Sequence, residues 1–158
     1  MRRLVSVAIP LAVLFLFAIP IQAQERSPEM QALGYWVGEW TSTSAEGSGT
    51  QVCKWLGTSF VQCEGENPDG SVLWLMGYDA TAGAYTSVYF WGNGENGAID
   101  TVTQQGDTMT WLVDIPTGGQ ARMAWVLESQ DIMTLKSETA EEGGDWAVVA
   151  EYRFARVR

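Results

Sequence analysis

The sequence contains no histidine. That absence removes Ser-His-Asp and Cys-His catalysis, histidine-ligated haem and the usual mixed zinc sites. Any chemistry would fall to carboxylates, tyrosine, cysteine or lysine. Positive charge is also scarce: nine Lys and Arg face nineteen Asp and Glu, for a net charge of −10. So acidic a chain repels nucleic acid and anionic membrane, and neither is an expected partner. Cysteine is limited to Cys53 and Cys63, too far apart for a C-x-x-C redox motif. Helical periodicity is missing almost everywhere, and the one long apolar run stands at the very start.

That run, Leu4 to Ile21, follows Arg2 and Arg3, is broken by Pro10 and Pro20, and ends in "IQAQE" with small Ala23 before Gln24. The order is that of a secretory signal peptide rather than a membrane anchor. The expected organisation is therefore a cleaved signal over residues 1–23 and one domain over 24–158. The destination is the periplasm or the medium, with no membrane span left after cleavage. Cleavage removes Arg2 and Arg3, so the nine basic residues become seven against nineteen acidic ones, a net charge of −12.

What is abundant is bulky core material: eight Trp, five Tyr and five Phe. "RSPEMQALG" reads as a short helical lead-in, with Ser27 as cap, Pro28 in the first turn and Gly34 as stop. Beyond it the chain alternates every second residue and breaks at turn residues. The expected strands are Tyr35 to Ser44, Thr50 to Trp55, Phe60 to Gly65, Val72 to Tyr78 and Tyr85 to Trp91. They continue as Ala98 to Gln104, Thr108 to Ile115, Ala121 to Leu127, Ile132 to Thr139 and Trp146 to Val157. Gly, Asn, Asp and Pro fill the breaks. Connections this short exclude parallel crossovers. A meander of about ten strands escapes two open edges by closing on itself. The fold class is thus all-β: a single antiparallel up-and-down barrel with a short N-terminal helical lead-in.

The "GYW" at Gly34 to Trp36 resembles the G-x-W signature that opens the first strand of lipocalins. The resemblance implies a Trp packed across the closed end of a barrel, with an arginine of the last strand lying over it. In "WAVVAEYRFAR", parity puts Trp146, Val148, Ala150, Tyr152 and Phe154 on one face, and Arg156 falls on that face too. The expected pair is therefore Arg156 over Trp36. The chain is also similar to a set of small bacterial exported lipocalin-like (calycin-type) proteins. The similarity lies in "LGYWVGEW", in the "W-L-G" hairpin near Trp55, in "GYDATAGAY" at Gly77 to Tyr85 and in "GDTMTW" at Gly106 to Trp111. That similarity implies a barrel and a small hydrophobic ligand. It supplies no catalytic residue to carry over, and related haem barrels use a histidine this chain lacks.

Cys53 and Cys63 flank "KWLGTSFVQ" symmetrically about Thr58, so they fall opposite each other across a hairpin. A structural disulfide is expected, with two buried thiols as the alternative. Parity collects aromatic and sulfur side chains on single faces: Tyr85, Tyr89 and Trp91; Met109, Trp111 and Val113; Met123, Trp125 and Leu127; Met133 and Leu135. If these faces point inward, ten strands enclose a ligand cavity. The residues expected to line it are Tyr85, Tyr89, Trp91, Met109, Trp111, Met123, Trp125 and Met133. The alternative is that they pack on one another and fill the core.

Asp79 in "GYDATAG" reads as a turn former. "WGNGENGAID" lacks the alternating carboxylates and closing Glu of a calcium loop, so no metal and no cofactor are expected. Asp100 shares parity with Ala98 and Val102; an inward aspartate is a candidate acid or base, but solvent exposure at the strand start is the favoured reading. The expected function is binding of a small hydrophobic molecule outside the cytoplasm, without catalysis. The alternatives are a small isomerase or hydrolase-like enzyme using Asp, Glu or Tyr, and a filled-core interaction module.

Overall fold

The computed structural model describes residues 25–68, 70–115 and 118–158, with the side chains of 98–101 excepted. The expected signal over residues 1–23 lies outside the described residues, as does the side chain of Asp100. The described chain opens with the helix α1 (Pro28–Ala32) and a 3-10 turn (Leu33–Trp36). Ser27 caps α1, accepting from the Met30 amide at 3.3 Å. Ten strands follow: β1 (Gly38–Thr43), β2 (Ser48–Leu56), β3 (Phe60–Asn67), β4 (Gly70–Asp79), β5 (Ala84–Trp91), β6 (Asn96–Gln105), β7 (Thr108–Asp114), β8 (Gln120–Ser129), β9 (Ile132–Ala140) and β10 (Ala147–Arg156). Each pairs antiparallel with the next, and β10 returns to β1, so the sheet is a closed barrel. The expected all-β, up-and-down architecture is the one observed.

Turn chemistry explains the breaks. Gly57, Gly83 and Gly106 sit in hairpin turns with φ of +64°, +65° and +57°, a region that side chains disfavour. Asp79 accepts from the amides of Thr81 and Ala82 at 2.8 and 3.2 Å, which makes it the turn former its sequence suggests.

Two departures from simple alternation matter for the interior. First, the expected opening strand at Tyr35 starts only at Gly38, because residues 33–36 form the 3-10 turn. Second, β10 is bulged between Val148 and Ala150. One extra residue reverses the facing of everything before it. Trp146 and Val148 therefore do not share the inward face of Ala150, Tyr152 and Phe154. Val148 is exposed, and Trp146 lies outside the barrel under Arg122, whose guanidinium is 4.3 Å from the ring centre.

Cys53 and Cys63 are direct cross-strand partners of β2 and β3 and form a disulfide. Both are buried. The bridge closes a loop with a sequence separation of 10, for which chain-entropy reasoning gives about 2–3 kcal/mol. Reduction under native conditions, or a Cys53→Ser/Cys63→Ser double variant, is expected to lower the denaturant midpoint by that free energy. Unchanged unfolding curves after complete reduction would contradict this.

On the outer face, Glu138 is held by Arg122 and by Lys136, the latter at 3.0 Å. The Arg122 hydrogen bond first, then that of Lys136, pull its carboxyl down to about 2 from an ordinary 4.5. A depressed carboxylate contributes stability that is complete above the unfolded value and disappears as pH falls through the folded one. Denaturant midpoints are expected to decline between about pH 5 and pH 2, and Glu138→Gln should flatten that part of the curve. A Glu138→Gln profile that tracks wild type throughout would exclude the assignment.

Candidate functional site: the open half of the barrel

Side chains, not strand geometry, divide the barrel into a closed half and an open half. At the closed end, α1 and the 3-10 turn lie across the opening. The Tyr85 hydroxyl donates to the Glu29 carbonyl at 3.2 Å, tying the wall to the helix. Met30, Leu33, Met76, Met109 and Met133 are buried beneath. Burial raises the Tyr35 and Tyr85 hydroxyls above the ordinary tyrosine range, so both stay neutral at any physiological pH.

The first-strand tryptophans divide the work of closure. Trp36 and Trp40 are both fully buried, and the Trp40 indole donates to the Trp36 carbonyl at 2.9 Å. Arg156 lies over Trp40, 4.1 Å from the ring centre, and not over Trp36 as the lipocalin resemblance suggests. The register explains it: Arg156 is the direct cross-strand partner of Trp40, and directly opposed side chains share a face. The guanidinium also donates to the carbonyls of Val37 at 2.7 Å, Tyr35 at 2.8 Å and Gln130 at 2.9 Å. It is a clasp between β10 and the entry to β1.

Trp36 instead turns inward to pack under Trp74 of β4, Trp111 of β7 and Trp125 of β8. It meets Trp74 and Trp125 edge-on, with ring centres 5.0 and 4.6 Å apart, and lies parallel to Trp111 at 6.4 Å. Trp74 and Trp111 also meet edge-on at 5.2 Å. Such edge-to-face contacts suit the ring quadrupole. The indole N–H groups of Trp36, Trp111 and Trp125 find no oxygen partner among the described residues. In this cluster ring edges meet neighbouring indole faces, the geometry in which weak N–H···π contacts form.

Above this tryptophan layer lies a cavity of about 420 Å³. Trp74, Trp111 and Trp125 form its base. Tyr89, Trp91, Val72, Val113, Met123 and Leu135 supply the apolar wall, and Tyr152 and Phe154 of β10 complete it. Polar groups gather on the side of β1 to β3, at Ser42, Thr50, Gln51 and Asn67, with Ser137 across from them. Gln51 is buried and turns its amide nitrogen to Cys53 Sγ at 3.2 Å. Among the described residues of the lining the one charged side chain is Glu66, which is exposed.

Five of the eight residues expected to line a cavity are brought together there: Tyr89, Trp91, Trp111, Met123 and Trp125. Tyr85, Met109 and Met133 are not. Tyr85 is at the helix, 5.2 Å from the Tyr78 ring, and Met109 and Met133 are fully buried in the closed half. Parity selects the face of a strand but not the depth along the barrel, and these three lie too deep. The main omission is Trp74. The alternation Val72, Trp74, Met76 in "VLWLM" carries the same inward signal as Met109, Trp111 and Val113.

The fold has relatives among solved structures. The chain is similar to Rv2717c from M. tuberculosis, with a TM-score of 0.56 at 14% identity over 85% of this chain and 100% of that one. At that identity the likeness concerns the barrel alone. A redesigned beta barrel matches more loosely, with a TM-score of 0.34 and 16% identity over 80% of this chain and 96% of that one. No family model matches the chain, and no curated protein matches it.

Proposed function

We propose that this protein binds a small, largely apolar molecule in the open half of its barrel. The observation that carries the reading is the cavity of about 420 Å³ with a base of Trp74, Trp111 and Trp125, a largely apolar wall and a few polar side chains, most of them on the β1 to β3 side. Its size and its pattern of apolar wall with few polar groups are those of small-molecule pockets. The closed half explains how a ligand cup and a stable core coexist: the methionines and Trp36 fill one end so that the other can remain open.

The lipocalin-like resemblance at "GYW" fits this reading, as does the placement of Trp36 and Arg156 at the closed end. Export also fits. The disulfide is at home in an oxidising compartment, and the leader over residues 1–23 has the form that directs a chain there.

Tryptophans at the base make the site self-reporting. Titration with an apolar naphthalene dye is expected to quench or shift tryptophan emission saturably, at one dye per chain. Ala121→Phe, which places a ring in the cavity, should weaken that binding at least about tenfold, as filling a preformed pocket does. A response that never saturates, or one indifferent to Ala121→Phe, would rule the cavity out as the site.

A further inference from the structure

We propose, building on the binding reading above, that the ligand is an organic cation: an amine or quaternary ammonium group carried on an apolar body. The argument starts from how this chain uses its indoles. Of its eight tryptophans, three have an arginine seated on the ring. Arg26 lies 4.1 Å from the centre of Trp55, Arg156 4.1 Å from Trp40, and Arg122 4.3 Å from Trp146. Trp74, Trp91, Trp111 and Trp125, which face the cavity, have no such cation among the described residues.

The described lining offers an anion hydrogen-bond donors, such as Ser42, Gln51 and Ser137, but no counter-charge. Among the described residues it contains no Lys and no Arg, and its one charged side chain is the acid Glu66. A carboxylate or sulfate head entering this cavity would lose water without gaining a counter-charge. A positive head gains on both counts. Indole faces attract it most strongly where water is excluded. Glu66 and a chain of net charge −10 raise its local concentration. The apolar body would lie along the wall. The same feature separates this cup from one suited to fatty-acid anions, which needs a cation in or beside the cavity.

Decyltrimethylammonium, decyl sulfate and decanol share one tail and differ in head. Each is titrated against the wild-type protein below its micelle-forming concentration, with tryptophan emission as readout, in about 50 mM and about 500 mM salt. The expected result is a cation that binds at least about tenfold tighter than the sulfate and the alcohol at both salt concentrations. A sulfate or alcohol that binds as tightly overturns the cation proposal and leaves the binding reading standing. A preference that vanishes in the higher salt reflects attraction to the acidic surface, and overturns it as well. No saturable response to any of the three overturns both.

Discussion

Replacing Trp36 by alanine is expected to cost about 3–5 kcal/mol, the range for removing a large aromatic ring from a packed core. Trp36 is fully buried and touches three other indoles. No neighbour can collapse into its space without disturbing Trp74, Trp111 and Trp125, which form the base of the cavity. The effect should therefore appear in two measurements. The denaturant midpoint falls by the stated free energy, and the near-ultraviolet signal of the coupled indoles weakens. Trp36→Phe keeps a ring in the same place and should retain most of the stability. A Trp36→Ala protein within about 1 kcal/mol of wild type would mean that the tryptophan layer is not a structural floor.

Arg156→Ala is expected to follow closely, at about 2–4 kcal/mol. The side chain stacks on Trp40 and donates to three backbone carbonyls, of Tyr35, Val37 and Gln130. A cation on an indole face contributes about 1 kcal/mol, and charged hydrogen bonds add about 1.5–3 kcal/mol where the acceptors are left without another donor. For a chain of this length the melting temperature should drop by roughly 10 °C. Arg156→Lys keeps the charge but not the planar fork, so it should recover less than half of the loss. Gly38 belongs to the same arrangement. Its φ is +142°, and a Cβ there would run into the Arg156 guanidinium, so changes at the two positions should not be additive. A Lys variant as stable as wild type would show that charge alone, and not the three carbonyl contacts, holds the closure.

The clasp also shows where family resemblance helped and where it misled. It led correctly to an arginine of the last strand and a tryptophan near the first. It attached them to the wrong indole. The G-x-W tryptophan sits on a 3-10 turn, where side chains recur every third residue. The inward step that continues the strand belongs to Trp40, directly opposite Arg156 in the register.

What the sequence determined by itself is everything that repeats locally. Alternation and turn residues define ten strands, their antiparallel order and the need to close, because each signal spans only a few residues. The symmetric placement of Cys53 and Cys63 about a turn defines a cross-strand pair for the same reason. Tyr89, Trp91, Trp111, Met123 and Trp125 are legible as inward aromatic and sulfur positions by parity alone.

Only the tertiary structure decided which end is open and how deep each inward residue lies. Depth depends on the stagger of all ten strands around the closed sheet, which no single strand encodes. That is why Tyr85, Met109 and Met133 belong to the filled half while Trp74 joins the cavity. Facing near the bulge of β10 was likewise beyond local reading. The single added residue that turns Trp146 and Val148 outward is set by the pairing of β10 with β9, a contact between strands rather than a pattern within one.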